Sequence, residues 1–382
     1  MNVGIMSMQR VVNYGSFLQA YSLKKNIEAL GHTVSFVDYH PGEVLVHEDK
    51  AVPKLRIQDR VIRKFRNTFV YPPMVSKDVM NRNNEQLQRL NAEYQKYLHQ
   101  LGISDQRNYL SPVDALVIGS DEVFNCIQSN PDVGFAKELF GAGRKAKHLL
   151  SFAASFGNTT ANELMKYGIY DEVGRMLKQF DAISVRDKNT KDIVEKYGLN
   201  PIEHLDPVFL YDYSEEMKKH RSKESGYIVV YSYACRMSKN ECREILKFAK
   251  KMHKDVICLC GWQYYLNEYK TPDPFEVLSL IKNADYVITD TFHGTVFSIK
   301  FNKKFVTYVR EGHGNSYGNS EKITDMLTRF QLTDRIIKSG DSIGNVMNYP
   351  VDFSYANQVI RENKENAEMY LENNLGDGNK IK

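Results

Sequence analysis

The chain is predicted to be an α/β protein with two doubly wound, Rossmann-like parallel sheets facing a cleft. Three observations predict it. Short apolar runs alternate with segments of helical periodicity along most of the sequence, the grammar of parallel sheets flanked by helices. The alternation halts at one polar stretch, residues 214–225, and then restarts. Polar residues suited to chemistry follow directly after several apolar runs, where strand ends open onto a cleft.

Taken in order, residues 3–6 form a first apolar run, and a turn at Asn13-Tyr14-Gly15 follows. Phe17, Leu18, Tyr21, Leu23, Ile27 and Leu30 recur at helical spacing, and Gly31 stops that helix. Residues 34–37 return as a strand, completing a right-handed βαβ unit. Residues 41–110 break the alternation with polar, helical sequence, so they are expected to be an insertion. Strands are then expected at 115–118, ending in Gly119-Ser120-Asp121, at 148–154, and at 182–185, ending in Arg186. Helices are expected at 161–180 and 188–197. After the polar stretch come strands at 227–231, 256–259, 286–289 and 305–308, with helices at 239–251, 274–281 and 294–301. A last helix, 355–375, follows the second sheet and is expected to pack back on the first domain, ahead of a frayed tail. The expected domains are 1–213, with the insertion 41–110, then 226–350, with 351–382 as the returning segment.

The 382 residues, 42% of them hydrophobic, suffice for two cores. The net charge of +4 is small, and the basic residues are spread out, which argues against nucleic acid as a partner. The start, MNVGIMSMQR, has the pattern of a strand and loop and not of a signal peptide. No apolar run approaches the roughly 20 residues of a membrane span. The five cysteines form no CxxC pair and have no histidine at zinc spacing, which suits a reducing cytoplasm and gives no metal site. Cys258 and Cys260 flank Leu259 and are expected to be small buried hydrophobes.

The candidate site is the set of strand ends. His293 sits at a strand-to-helix turn before Gly294 and Thr295, where free N–H groups favour an anion and an imidazole can exchange protons. The plainer alternative is a histidine that caps its helix. Arg186 offers a fork for a carboxylate or phosphate, or alternatively an interdomain ion pair with Asp121. Asp121, after Ser120, is a base or an orienter of a sugar hydroxyl, or else the N-cap of residues 122–126. Ser155, Asp290 and Thr291 complete the strand-end set. The turn Asn13-Tyr14-Gly15 would let backbone approach a ligand; it is no GxGxxG fingerprint, so no nicotinamide or flavin cofactor is indicated.

Six segments, in order, resemble the polysaccharide pyruvyl transferase family. They are Asn13-Tyr14-Gly15-Ser16 with Leu18-Gln19-Ala20-Tyr21; Gly119-Ser120-Asp121-Glu122-Val123-Phe124-Asn125; Ser151-Phe152-Ala153-Ala154-Ser155-Phe156-Gly157; Ile183-Ser184-Val185-Arg186-Asp187; Leu205-Asp206-Pro207; and Thr289-Asp290-Thr291-Phe292-His293-Gly294-Thr295. The resemblance implies a GT-B-like architecture and transfer of a pyruvyl group from phosphoenolpyruvate to a sugar, giving a ketal and phosphate, in surface polysaccharide synthesis. It implies His293 as acid/base and Arg186 as a donor-binding residue. The chain departs from the family pattern at Asn302-Lys303-Lys304, where Asn-Lys-Pro is usual, and at Lys322, where an arginine is expected. Asp121 joins His293 and Arg186 as catalytic. Asn13, Tyr14, Gly15, Ser120, Ser155, Asp290, Thr291, Gly294, Thr295 and Lys322 are the expected substrate-binding residues. No metal and no cofactor enter the scheme.

Two rival readings stand beside it: a glycosyltransferase of the same architecture using a nucleotide sugar, and a non-catalytic carbohydrate-binding protein on that fold. The acceptor would be a sugar on a lipid or nucleotide carrier. Residues 54–69, KLRIQDRVIRKFRNTF, form a basic amphipathic pattern. Such a helix packs on its own domain or lies on an anionic membrane, which would place the protein at the inner membrane face.

Overall fold

The structure, a computed structural model, describes residues 1–46, 74–109, 111–219, 226–311 and 320–376. In chain order the first half comprises β1 (Asn2–Met6), α1 (Tyr14–Ala29), β2 (Thr33–Phe36), α2 (Lys77–Gln100), β3 (Ala115–Asp121), β4 (His148–Ala154), α3 (Ala161–Lys166), α4 (Tyr170–Leu177), β5 (Ser184–Val185), α5 (Lys188–Lys196), β6 (Ile202–Glu203) and α6 (Ser214–Lys219). The second half comprises β7 (Tyr227–Ser232), α7 (Lys239–Met252), β8 (Asp255–Cys260), α8 (Pro274–Asn283), β9 (Tyr286–Thr289), α9 (Phe292–Lys300), β10 (Lys304–Thr307), α10 (Ser320–Arg329), α11 (Ile343–Asn348) and α12 (Ser354–Leu375).

The first sheet is six-stranded and parallel, in the order β2-β1-β3-β4-β5-β6. The second is four-stranded and parallel, in the order β10-β9-β7-β8. Side chains alternate across each strand, so one strand feeds two cores. On β3, Ala115 and Val117 join one apolar cluster while Leu116 and Ile118 join another. On β7, Val229 and Tyr231 join that first cluster, and Ile228 and Val230 pack on the opposite face with Ile245 and Phe248 of α7. Both sheets are therefore covered on both faces, as expected of doubly wound sheets.

One cluster is common to both sheets. Phe17 of α1 meets Phe275 of α8 edge-on, with ring centroids 5.8 Å apart, and Tyr21 meets the same ring at 5.0 Å. Burying side chains of this size is worth about 2–3 kcal/mol each, which ties the sheets together beneath the cleft. The last helix, α12, returns to the first sheet: the Tyr370 hydroxyl donates to the Ser151 carbonyl at 2.9 Å, and Asn363 accepts from the Leu205 amide at 2.8 Å.

The structure departs from the sequence reading in adding α6 within the polar stretch 214–225 and the unexpected helices α10 and α11, and at two further points. The expected helix 161–180 is two helices, α3 and α4, separated at Gly168, whose φ of +69° leaves the helical region. The edge strand β6, only two residues long and facing solvent at Ile202, carries no apolar run that would announce it. The basic segment 54–69 lies outside the described residues. Among the described residues, no helix is long and apolar enough to cross a membrane.

Candidate active site

The C-terminal ends of both sheets open on a cavity of about 770 Å³. From the first sheet it is lined by Asp121 at the end of β3 and Arg186 just past β5, and from the second by Tyr233, Thr291, Phe292 and His293. Parallel strands deliver their loops to one edge, which is why residues distant in sequence meet here.

Asp206 stands at the centre of the arrangement. It follows β6 and caps the short turn Pro207–Phe209, with Oδ1 accepting from the Val208 amide at 3.0 Å. Its other oxygen accepts from Nη1 of Arg186 at 2.8 Å and lies 3.5 Å from Nε2 of His293. Full burial works against ionisation, yet His293 and then Arg186 hold the Asp206 carboxyl down at about 2. The same contacts act on Arg186. Burial opposes its charge, and Asp206 followed by Asp121 keeps its pKa well above the ordinary guanidinium value. Arg186 also lies over the Phe292 ring, 4.6 Å from its centroid, and its Nη2 is 3.6 Å from Asp121 Oδ1.

Asp121 carries a positive φ of 90°, in the region that L-residues rarely adopt. Its Oδ2 accepts from the Ser16 hydroxyl at 2.7 Å, and its Oδ1 accepts from the Glu122 amide at 2.9 Å. The chain after it turns without forming a helix, so Asp121 caps none. The anticipated pairing of Arg186 with Asp121 exists, but both belong to the first sheet. Across the cleft, Arg186 meets His293 through Asp206. Lys322 of α10 pairs with Glu122 and stands 5.7 Å from the Phe292 centroid.

His293 is the second residue of α9, not its cap. Thr291 is the cap, its hydroxyl accepting from the Gly294 amide at 2.9 Å. The imidazole packs against Gly15 at the start of α1, so closely that a Cβ at that position would overlap the ring. The Asn13-Tyr14-Gly15 turn, expected to bring backbone to a ligand, instead brings it to His293. Asn13 itself lines the cavity, its amide donating to the Tyr233 hydroxyl at 3.1 Å.

Several expected binding residues support the site from behind and do not line the cavity. The Tyr14 hydroxyl donates to the Pro272 carbonyl at 2.8 Å, joining the two halves. Ser120 is fully buried, and the Ser155 hydroxyl accepts from the Gly157 amide at 2.9 Å. Asp290 is fully buried between Arg236 at 3.2 Å and Arg310 at 3.1 Å. Gly294 sits against Thr289, and the Thr295 hydroxyl donates to the Thr291 carbonyl at 3.0 Å. For Ser120 beside Asp121, and Asp290 beside Thr291, neighbouring residues at a strand end face opposite sides.

Ser16, Glu122, Asp206, Tyr233 and Arg236 belong to the site but were given no role from the sequence. Asp206 was detectable in principle, because it closely follows a strand, but β6 was too short to be recognised. Glu122 sits beside a residue that the strand-end rule did select. Among the described residues, no group of three or more acidic, histidine or cysteine side chains could hold a metal ion.

Fold and site together define a two-sheet α/β protein with an acid, an arginine and a histidine converging in one cleft. The chain belongs to the polysaccharide pyruvyl transferase family, whose model matches residues 13–311, and is thus placed among transferases. No curated protein matches it. Similar solved structures include a UDP-GlcNAc 2-epimerase from Neisseria meningitidis, at 10% identity and a TM-score of 0.44, covering 100% of this chain and 98% of that one. A second is a heptosyltransferase from E. coli, at 12% identity and a TM-score of 0.38, covering 95% of this chain and 100% of that one. A third is MurG from Acinetobacter baumannii, at 13% identity and 0.39, covering 97% of each.

Proposed function

We propose that the chain transfers a pyruvyl group from phosphoenolpyruvate to a sugar, forming a pyruvate ketal and releasing phosphate, in the assembly of a surface polysaccharide. The observation that carries the reading is the shared carboxylate: Asp206 lies 2.8 Å from Arg186 and 3.5 Å from His293, one partner on each side of the cleft. A cation fixed for an anionic donor and an imidazole beside a buried carboxylate are what this chemistry needs.

In this scheme Arg186 and Lys322 face the phosphate and carboxylate of the donor. The N-terminus of α9 adds its amides and dipole to the same charge. Imidazolium His293 gives its proton to the methylene carbon, and the electron pair of the double bond forms the new C–H bond. The adjacent carbon becomes oxocarbenium-like. A sugar hydroxyl attacks that carbon and passes its proton to Asp121. Phosphate departs with the C–O bonding pair, taking the proton from Asp121, and a second hydroxyl attacks the same carbon and gives its proton to the now neutral His293, which closes the ketal. Asp206, 3.5 Å from Nε2, orients the imidazole, in the way a carboxylate supports a histidine acid/base. Asp290, enclosed by its two arginines, is left out of the proton path.

The test is phosphate release from phosphoenolpyruvate across a panel of sugar acceptors, with product mass measured. A mass gain matching a ketal supports the reading. Transfer from a nucleotide sugar, with no phosphate release from phosphoenolpyruvate, would replace it with the glycosyltransferase alternative.

A further inference from the structure

The cavity has two chemically distinct ends. The charged groups, Asp121, Glu122, Arg186 and Lys322, gather where the strand ends converge on His293. The remainder of the first-sheet wall is formed by the loop after β3, the loop after β4 and the end of α3. There the lining side chains are mostly uncharged hydrogen-bonding groups, with Tyr167 among them. Its acidic member, Glu163, is engaged in the capping box of α3, accepting from the Thr160 amide at 2.8 Å and hydroxyl at 2.9 Å.

Buried Asn125 organises this wall. Its side-chain nitrogen donates to Asn158 Oδ1 at 3.0 Å and to Glu122 Oε2 at 2.9 Å, while its backbone carbonyl accepts from Gln128 Nε2 at 3.1 Å. These bonds fix which end of each lining amide faces the cavity. With its oxygen engaged, Asn158 presents donors. With its nitrogen engaged, Gln128 presents an acceptor. A donor and an acceptor held by one scaffold match a hydroxyl, which needs one of each. Beside them Tyr167 offers a half-buried ring, with Lys166 5.4 Å from its centroid. Hydroxyls on an apolar ring face are the surface of a pyranose.

We infer that Gln128, Asn158 and Tyr167 form the acceptor subsite and that it takes an uncharged pyranose, leaving the charged end of the cavity to the donor. The cavity, about 770 Å³, is of a size that encloses a drug-sized ligand, more than a small phosphorylated acid fills. The inference rests on the donor reading above, because it gives the sugar the part of the cavity the donor leaves.

Saturation-transfer NMR on the full chain tests it, with the methyl pyranosides of galactose, glucose, mannose and N-acetylglucosamine as probes. At least one is expected to receive saturation and to keep it when phosphoenolpyruvate is added. Tyr167→Ala and Asn158→Asp should each weaken that probe about tenfold, the cost of one lost stacking or hydrogen-bonding contact. Absence of transfer to all four probes, or equal transfer in wild type and both subsite variants, overturns the subsite. Displacement of the probe by phosphoenolpyruvate also overturns it. A probe that binds as expected while phosphoenolpyruvate neither binds nor releases phosphate upholds the subsite and sinks the donor reading alone.

Discussion

The imidazole of His293 occupies the space where a side chain on Gly15 would stand: a Cβ there would overlap ring atoms Nδ1, Cγ and Cε1. Gly15 belongs to the first half of the chain and His293 to the second, so this contact sets the distance across the cleft. Gly15→Ala should therefore push the ring away from Asp206. The expected result is a fall in kcat of about 10²-fold or more, with cooperative unfolding retained. Steady-state kinetics beside a thermal melt will check it. Near wild-type kcat would mean that His293 need not sit where it does.

His293→Ala should remove the proton donor while leaving the fold intact. Turnover should fall by about 10²–10⁴-fold. Phosphate release under saturating donor measures it, and full activity in a folded variant would remove His293 from the mechanism.

Arg186→Lys keeps a charge but loses the fork that reaches Asp206 and Asp121 together. Donor Kd should rise about tenfold, read by titration calorimetry. An unchanged Kd with lowered stability would make Arg186 a purely structural cation.

Asp206→Asn has nearly the same shape and no charge. It leaves Arg186 buried with a weakened partner, which costs about 3–5 kcal/mol when one side of a buried pair is removed. Urea unfolding at neutral pH should show that loss, together with a loss of turnover. In the wild type, the carboxyl titrates at about 2 when folded. Its contribution is therefore complete above the unfolded carboxyl range near 4, declines below it, and is gone once pH has fallen through about 2.

His204 acts in the same sense over a higher pH range. It is fully buried, with Nδ1 2.7 Å from the Ser184 hydroxyl and its ring stacked 5.2 Å from Phe152. Desolvation lowers its pKa to about 4. Below the unfolded value near 6.5, the unfolded chain takes up a proton that the folded chain refuses. Stability should thus fall by about 3 kcal/mol between pH 6.5 and pH 4. Urea unfolding across that range checks it, with His204→Gln expected to flatten the slope.

Long strands with continuous apolar runs were legible from the sequence, and β4 and β9 fell where they were expected. The strand-end rule selected Asp121, Arg186 and His293, and these three line one cavity. Less visible was which of several adjacent polar residues faces the cavity. Thr289-Asp290-Thr291-Phe292-His293 offers four polar candidates in five positions, and strand pleating followed by the helix start sends Asp290 behind the wall and His293 into it. Asp206 stood in the Leu205-Asp206-Pro207 segment, but its central place in the site was hidden for another reason. Its position is set by a two-residue edge strand whose pairing depends on β5, a tertiary fact with no local pattern.

The return of α12 to the first sheet has a consequence for the order of folding. Tyr370 and Asn363 close over β4 and the segment after β6, yet they are synthesised after every strand of the second sheet. On the ribosome, the first sheet therefore waits with that patch uncovered until the second half has emerged. That patch can therefore be covered only after the half that carries His293 has been made.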